Sequence, residues 1–288
     1  MKEKMNKIPV FYACDDNFVK YTMVSLQSMM DHASKEAQYE IHVLHTNISE
    51  EMQKKMHAME NANFSVQFDH VTEYLHSIQE KLPLRDYYSK TTYFRLFIAE
   101  MFPEIDKAIY IDSDTVVLGD IAQLYAYDLG DAYVGACREQ VMIQEEVYGT
   151  YVEKVLGVER DNYFNAGMLV INCEQFRKNH VLEQFMELLP MYNFVVTQDE
   201  DYLNLICHNK VCWLPQKWNV EVFGQIPCRE EEICVLHYIM VSKPWRYSDC
   251  RLQEYFWESA QKTSVYAEIR KAVSYTHLRA HETGRNLV

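Results

Sequence analysis

Short apolar blocks alternate with amphipathic stretches through the first third of the chain. Ile8 to Cys14 is a block of strand length, and Asp15-Asp16-Asn17 closes it. Val19, Met23, Leu26 and Met30 then recur at helical spacing, with Asp15 or Asp16 placed to cap the helix. Tyr39 to His45 reads as a second strand. Ser49-Glu50-Glu51 opens a helix with Met52, Met56 and Met59 on one face, and Phe64, Val66 and Phe68 mark a third strand. Helical stretches at about 71–82 and 91–101 lead to a fourth strand at Ala108 to Ile111. This β-α-β-α-β order predicts an α/β fold with a largely parallel sheet, in which ligands collect at the carboxyl ends of the strands.

The second half is more mixed. A short strand is expected over 133–137 and a helical flap or insertion over 141–156. The apolar run 163–172 carries Asn165-Ala166-Gly167, where glycine admits a close approach. An amphipathic helix is expected over 174–189, ended by Pro190, and another over 202–208 behind Gln198-Asp199-Glu200-Asp201. Val211 to Leu214 and Ile233 to His237 read as strands, and the chain is expected to be helical from about 248 to 272.

The stretch with the most chemistry is Ala108-Ile109-Tyr110-Ile111-Asp112-Ser113-Asp114. In extended chain Asp112 and Asp114 project from one face while Ser113 points away. Two adjacent carboxylates after a buried strand repel each other unless a cation joins them. Hard oxygen donors suit Mg²⁺ or Mn²⁺, with water and substrate phosphate completing the shell. His237, closing a strand, is a candidate third ligand, and an imidazole favours Mn²⁺ over Mg²⁺. Lys243, in a loop before Pro244, is a candidate phosphate partner, and Arg95 is placed to reach the same pocket. The acids of 199–201 suit a helix N-terminus, where they complement its dipole; their functional reading is contact with hydroxyls or a cationic centre.

Composition narrows the field. The 288 residues are 48% hydrophobic, with only 8 Gly and 7 Pro, which is enough for one large domain without low-complexity linkers. A formal net charge of -14 disfavours nucleic acid and anionic lipid as general partners. An acidic chain that binds a phosphorylated ligand needs a local cation or a few placed Lys and Arg, in keeping with a metal at the acidic pair. The eight Cys form no C-x-x-C and read as reduced, buried thiols of a cytosolic protein, not as a zinc site. The N-terminus turns acidic too soon for a signal peptide, and no window approaches a membrane span. Residues 1–273 are read as the domain, with 248–273 a helical extension. The stretch 274–288 lacks apolar periodicity and reads as a non-native or unstructured tail.

Six segments taken in order carry a resemblance. They are Ala13-Cys14-Asp15-Asp16-Asn17-Phe18, Thr92-Tyr93-Phe94-Arg95-Leu96, Tyr110-Ile111-Asp112-Ser113-Asp114, Tyr163-Phe164-Asn165-Ala166-Gly167, Gln198-Asp199-Glu200-Asp201, and His237-Tyr238 with Lys243-Pro244-Trp245. Together they resemble glycosyltransferase family 8 over about residues 8 to 247. The resemblance implies a GT-A-type nucleotide-diphospho-sugar transferase fold and retaining transfer from a UDP-sugar, UDP-glucose or UDP-galactose, to a glycan or glycolipid acceptor. It implies that Asp112, Asp114 and His237 hold Mn²⁺, and that Ala13, Asp15 and Asn17 meet the uridine. Lys243 would meet the phosphates, and Arg95, Asn165, Asp199 and Glu200 the donor sugar. Two positions depart from the family pattern. Glu200 stands where Gln is frequent, and Met240 stands near the phosphates where Gly is common.

Two other readings follow from the same residues. Asp112-Ser113-Asp114-Thr115-Val116 also fits the motif of haloacid-dehalogenase-like phosphatases, with Asp112 as nucleophile, although that motif belongs on an early strand. Met240 motivates a sugar-nucleotide-binding homologue without catalysis. The expected location is cytoplasmic, at most peripheral to the inner face of a membrane that carries the acceptor.

Overall fold

The structure is a computed structural model and describes residues 7–72, 74, 91–192, 194 and 196–271. A seven-stranded sheet has the order β3-β2-β1-β4-β7-β6-β8. Its strands are β1 (Lys7–Ala13), β2 (Gln38–His45), β3 (Phe64–His70), β4 (Lys107–Ile111), β6 (Val134–Arg138), β7 (Phe164–Asn172) and β8 (Val211–Trp213). A smaller sheet joins β5 (Thr115–Val117), β9 (Val220–Glu221) and β10 (Val235–His237) in the order β5-β10-β9.

Both faces of the large sheet are covered, which explains the near-continuous apolar strands. Val10, Tyr12, Ile109, Ile111 and Met168 pack with Met23 and Leu26 of the helix Val19–His32 and with Val116 and Leu236 of the small sheet. Phe11, Tyr110, Leu169 and Ile171 pack on the opposite side with Tyr93, Phe94, Phe185 and Tyr202. Alternate residues of one strand thus serve two cores.

Four pairings of the large sheet are parallel: β1 with β2 and β4, β2 with β3, and β6 with β8. β7 runs antiparallel to both β4 and β6. That reversal matters for the site. Ile111 pairs with Met168, the middle of β7, so the chain that leaves β4 runs alongside the N-terminal half of β7. The Asp112 N–H donates to the Gly167 carbonyl at 2.7 Å. In the small sheet His237 lies opposite Thr115 across the antiparallel β5–β10 pair, and Tyr238 N–H donates to the Asp114 carbonyl at 3.0 Å. Two sheet registers therefore bring residues 112–114, 165–167 and 237 to one edge.

Several local expectations change. Asp112-Ser113-Asp114 is a turn between β4 and β5, not extended chain, because β5 leaves the large sheet to pair with β10. Residues 91–97 form a 3₁₀ helix before a single α-turn at 98–101. The helix expected over 174–189 is two, Cys173–Lys178 and Val181–Leu188, split where His180 takes φ 54°. After Trp245 the helix Gln253–Ala260 ends in turns, and the chain is helical again over 266–271. The expected helix at 71–82 falls largely outside the described residues, as does the tail 274–288.

Candidate active site

One ligand atom each from Asp112, Asp114 and His237 lie within 4.8 Å of one another. His237 Nε2 is 3.2 Å from Asp114 Oδ1 and 4.0 Å from Asp112 Oδ2. Gly167 makes this packing feasible. A Cβ there would stand 2.2 Å from His237 Cε1 and 2.7 Å from Asp112 Oδ2, distances no side chain tolerates. Two carboxylate oxygens and an imidazole nitrogen at this spacing fit a divalent ion such as Mn²⁺, and less selectively Mg²⁺.

The charge around the pair is compensated. The Lys243 ammonium pairs with Asp114 and donates to the Tyr238 carbonyl. Burial alone would lift the Asp114 carboxyl, and Lys243 with His237 beside it hold it well below its ordinary value instead. Asp112 Oδ1 accepts from the Tyr110 hydroxyl at 2.7 Å and from Arg95 Nη2 at 3.1 Å. The Arg95 guanidinium is buried, lies 4.3 Å from the Tyr110 ring centre and also donates to the Ala166 carbonyl.

The turn itself is held from below. Thr22, Ser25 and Ser28 form a buried stripe on the helix Val19–His32. Thr22 bonds Ser113 at 2.8 Å, Ser25 bonds Thr115 at 2.9 Å, and Ser28 accepts the Val117 N–H at 2.8 Å. Three hydroxyls three residues apart on a buried helix face are the signal for this support in the sequence, obscured there by the apolar face beside them.

A cavity of about 230 Å³ opens beside the pair, lined by Ala13, Asp15, Phe18, Thr92, Asp112 and Asp114 among others. Asp15 Oδ1 accepts the N–H groups of Asn17 and Phe18, both at 2.9 Å, and so fixes this loop. Ala13 and Asp15 thus sit where a ligand of the acidic pair would extend, whereas Asn17 is exposed and outside the lining.

A second cavity, of about 220 Å³, is lined by Glu139, Asn165 and Glu200 with apolar Val141, Met142, Val196, Ile239 and Met240. Met240 belongs here and not to the lining of the first cavity. It takes φ 54°, a left-handed conformation that a residue with a Cβ adopts at a cost and glycine does not. The acids here are buried without a matching set of cations among the described residues. Glu200 Oε2 accepts the Ala166 N–H at 2.7 Å, and burial followed by nearby Glu139 pushes its carboxyl well above the ordinary range. Burial and Glu139 do the same to Glu221, which accepts the Gln140 N–H. Burial also raises Asp199 despite Arg95, whose Nε is 3.0 Å from Asp199 Oδ2. That Nε gives its proton to the Thr92 carbonyl at 2.8 Å, so among the described residues Asp199 Oδ2 has a charge partner and no hydrogen bond. Asp201 faces away, accepting from the Tyr151 and Tyr163 hydroxyls at 2.8 Å each.

Residues 9–249 match the family model for glycosyl transferase family 8. The chain belongs to this family. As a family 8 glycosyltransferase it is 28% identical over 246 residues to a Haemophilus influenzae protein, covering 82% of this chain and 72% of that one. It is 23% identical to the lipopolysaccharide 1,3-galactosyltransferase of Salmonella typhimurium, over 83% of this chain and 73% of the enzyme. Among solved structures, the galactosyltransferase LgtC, bound to donor and acceptor sugar analogues, superposes with a TM-score of 0.71 at 26% identity, covering 89% of this chain and 96% of LgtC. The apo bifunctional glycosyltransferase WbbM gives 0.81 at 26% identity over 93% of this chain, which spans about half of WbbM, 52%. The fold of this family 8 chain is thus the GT-A-type α/β architecture, and family membership sets aside the phosphatase reading with Asp112 as nucleophile.

Within this family 8 chain, sequence reasoning reached Arg95, Asp112, Asp114, Asn165, Asp199, Glu200, His237 and Lys243, and the fold gathers all eight around the β4–β7 edge. It missed Glu139, Asn219 and Glu221. Glu139 caps the helix Gln140–Gln144, accepting the Val141 N–H at 3.1 Å, and its other oxygen accepts from Asn165. A glutamate before a helix is ordinary capping chemistry, so nothing local marks it as part of a site. Asn219 follows Trp218 in an unpatterned segment, and only the parallel β9–β10 register carries it to the site.

Proposed function

We propose that this glycosyltransferase moves a hexose, glucose or galactose, from UDP to a glycan or glycolipid acceptor, keeping the anomeric configuration. One observation carries this reading: Asp112, Asp114 and His237, drawn from distant segments, converge beside a cavity that starts at the end of β1. In this reading the three side chains hold Mn²⁺, with Mg²⁺ the alternative. The ion, when bound, supplies positive charge to the diphosphate.

The chain's own groups do the rest. Ala13 and Asp15 border the uridine pocket, and Asn17 follows in the same loop, exposed and outside its lining. Lys243 is poised to exchange its contact with Asp114 for the phosphate and to neutralise charge as UDP leaves. Arg95 locks the Asp112 and Asp199 carboxylates in place. Asp199 Oδ2, buried without a hydrogen bond among the described residues, is suited to accept from a donor-sugar hydroxyl. Asn165 and Glu200 face the same cavity, and Glu200 in its ionised form is placed to stabilise an oxocarbenium-like centre or to attack it. The acceptor hydroxyl enters through the cavity rimmed by Val141, Ile239 and Met240, an apolar mouth that suits the less polar face of a sugar or a glycolipid.

Likeness to a lipopolysaccharide galactosyltransferase supports a surface-glycan acceptor. Among the described residues no helix is long and apolar enough to cross a membrane, so contact with a lipid-borne acceptor at the cytoplasmic face would be peripheral. The test is release of UDP from a panel of UDP-sugars, with and without Mn²⁺. The expected result is Mn²⁺-dependent hydrolysis of UDP-glucose or UDP-galactose. Tight UDP binding with no release from any donor, whatever glycan is added, would sink this reading and favour a binding protein without catalysis.

A further inference from the structure

The buried amide of Asn219 lies between the metal side and the sugar side of the site, and its orientation can be deduced. Asn165 Oδ1 accepts the Gly167 backbone N–H at 2.9 Å, and a backbone N–H can only donate. That fixes which end of the Asn165 amide is oxygen and turns its Nδ2 to the Glu139 carboxylate. The Asn219 atom 2.7 Å from Asn165 Oδ1 must then be the donor, Nδ2. Asn219 Oδ1 is left facing His237 Nδ1 at 3.1 Å. An amide oxygen only accepts, so Nδ1 carries a proton. His237 Nε2 is on the side of Asp112 and Asp114.

We infer that Asn219 is a positioning residue: it fixes His237 in the Nδ1-protonated form, turns the Nε2 lone pair to the divalent ion, and ties that ligand to the Asn165–Glu139 side of the donor sugar. The inference rests on the metal site of the proposed function. Asn219 is fully buried and makes both bonds, so its amide cannot turn without leaving two partners unsatisfied. Gly167 confines the ring from the side, since its own Cβ position would be 3.0 Å from His237 Nδ1. Orientation of a ligating imidazole through its second nitrogen is the usual role of such a partner. The same chain of bonds gives a physical route by which occupancy beside Asp114 and the placement of Asn165 depend on one another.

The test has two arms. In wild-type protein labelled with ¹⁵N-histidine, with His237→Gln supplying the assignment, His237 Nδ1 is expected to carry its proton both without metal and with Mg²⁺ bound. A bare Nδ1 overturns the inference, and this arm needs no variant of Asn219 to fold. In the second arm Mn²⁺ binding is measured by calorimetry without donor. Asn219→Ala is expected to weaken it by about 10- to 100-fold. A folded Asn219→Ala that binds Mn²⁺ as tightly as wild type overturns the inference. Absence of Mn²⁺ binding in wild type would instead remove the proposed function, leaving the ¹⁵N arm to decide the tautomer.

Discussion

The site contains two sets of acids a few residues apart in space, and they are held in opposite ways. Asp112 and Asp114 have Arg95, Lys243 and His237 against them, and both remain partly open to the first cavity. Glu139, Glu200 and Glu221 are buried together, supported by backbone N–H groups and the Asn165 amide, with no cation bonded to them among the described residues. The first set shares positive charge, and Lys243 with His237 hold the Asp114 carboxyl well below its ordinary value. In the second, burial and mutual repulsion keep Glu200 and Glu221 protonated to higher pH than usual. One residue chemistry thus serves two roles, and environment decides which.

The largest effect is expected from breaking the first set. Asp114→Ala should lower transfer by roughly a thousandfold, the several kcal/mol that a metal-assisted charge contributes. The folded chain should survive, because Asp114 faces the cavity and its main partners are the side chains of Lys243 and His237. Near-normal turnover at saturating Mn²⁺ would remove the distinction between the two sets.

Next comes Glu200→Gln. If the ionised carboxylate supports the cationic centre, the rate should rise as pH climbs above the ordinary value of 4.5, because the folded protein holds this proton longer. The variant should lose that rise and roughly a hundredfold in turnover, with UDP affinity unchanged. A full set of rates across pH decides it, and an unaltered profile would take Glu200 out of the chemistry.

Gly167→Ala sharpens the comparison from the backbone. Its methyl would press on His237 and Asp112, so a stability loss of about 1–3 kcal/mol is expected, read from urea midpoints, together with weaker Mn²⁺ binding. The smallest effect belongs to Met240→Gly. Relief of the left-handed backbone should raise stability by about 1 kcal/mol or less, while loss of an apolar rim raises the acceptor KM and leaves donor hydrolysis in place. A changed UDP affinity with an unchanged acceptor KM would return Met240 to the diphosphate side.

Much of this was legible in the sequence. The acidic pair announces itself because an apolar strand runs straight into it, and parallel α/β order puts its strand end where ligands gather. Gly167 is readable as a close approach, although not what approaches it. The turn at 112–114 was hidden because β5 and β10 pair across more than a hundred residues, and local pattern cannot express that register. The same holds for Asn219 and Glu221, whose neighbours are set by the β9–β10 pairing. The break at His180 lay inside an unbroken amphipathic pattern, which a single left-handed residue overrides without changing the spacing of apolar positions.

The central claim is that Asp112, Asp114 and His237 jointly hold one divalent ion at the donor diphosphate. Anomalous diffraction from crystals grown with Mn²⁺ and UDP tests it directly. A single strong manganese peak bonded to His237 Nε2 and to both carboxylates is expected, with phosphate oxygens completing the shell. A manganese peak elsewhere with UDP seated, or UDP bound at full occupancy with His237 bonded to no metal, would contradict it.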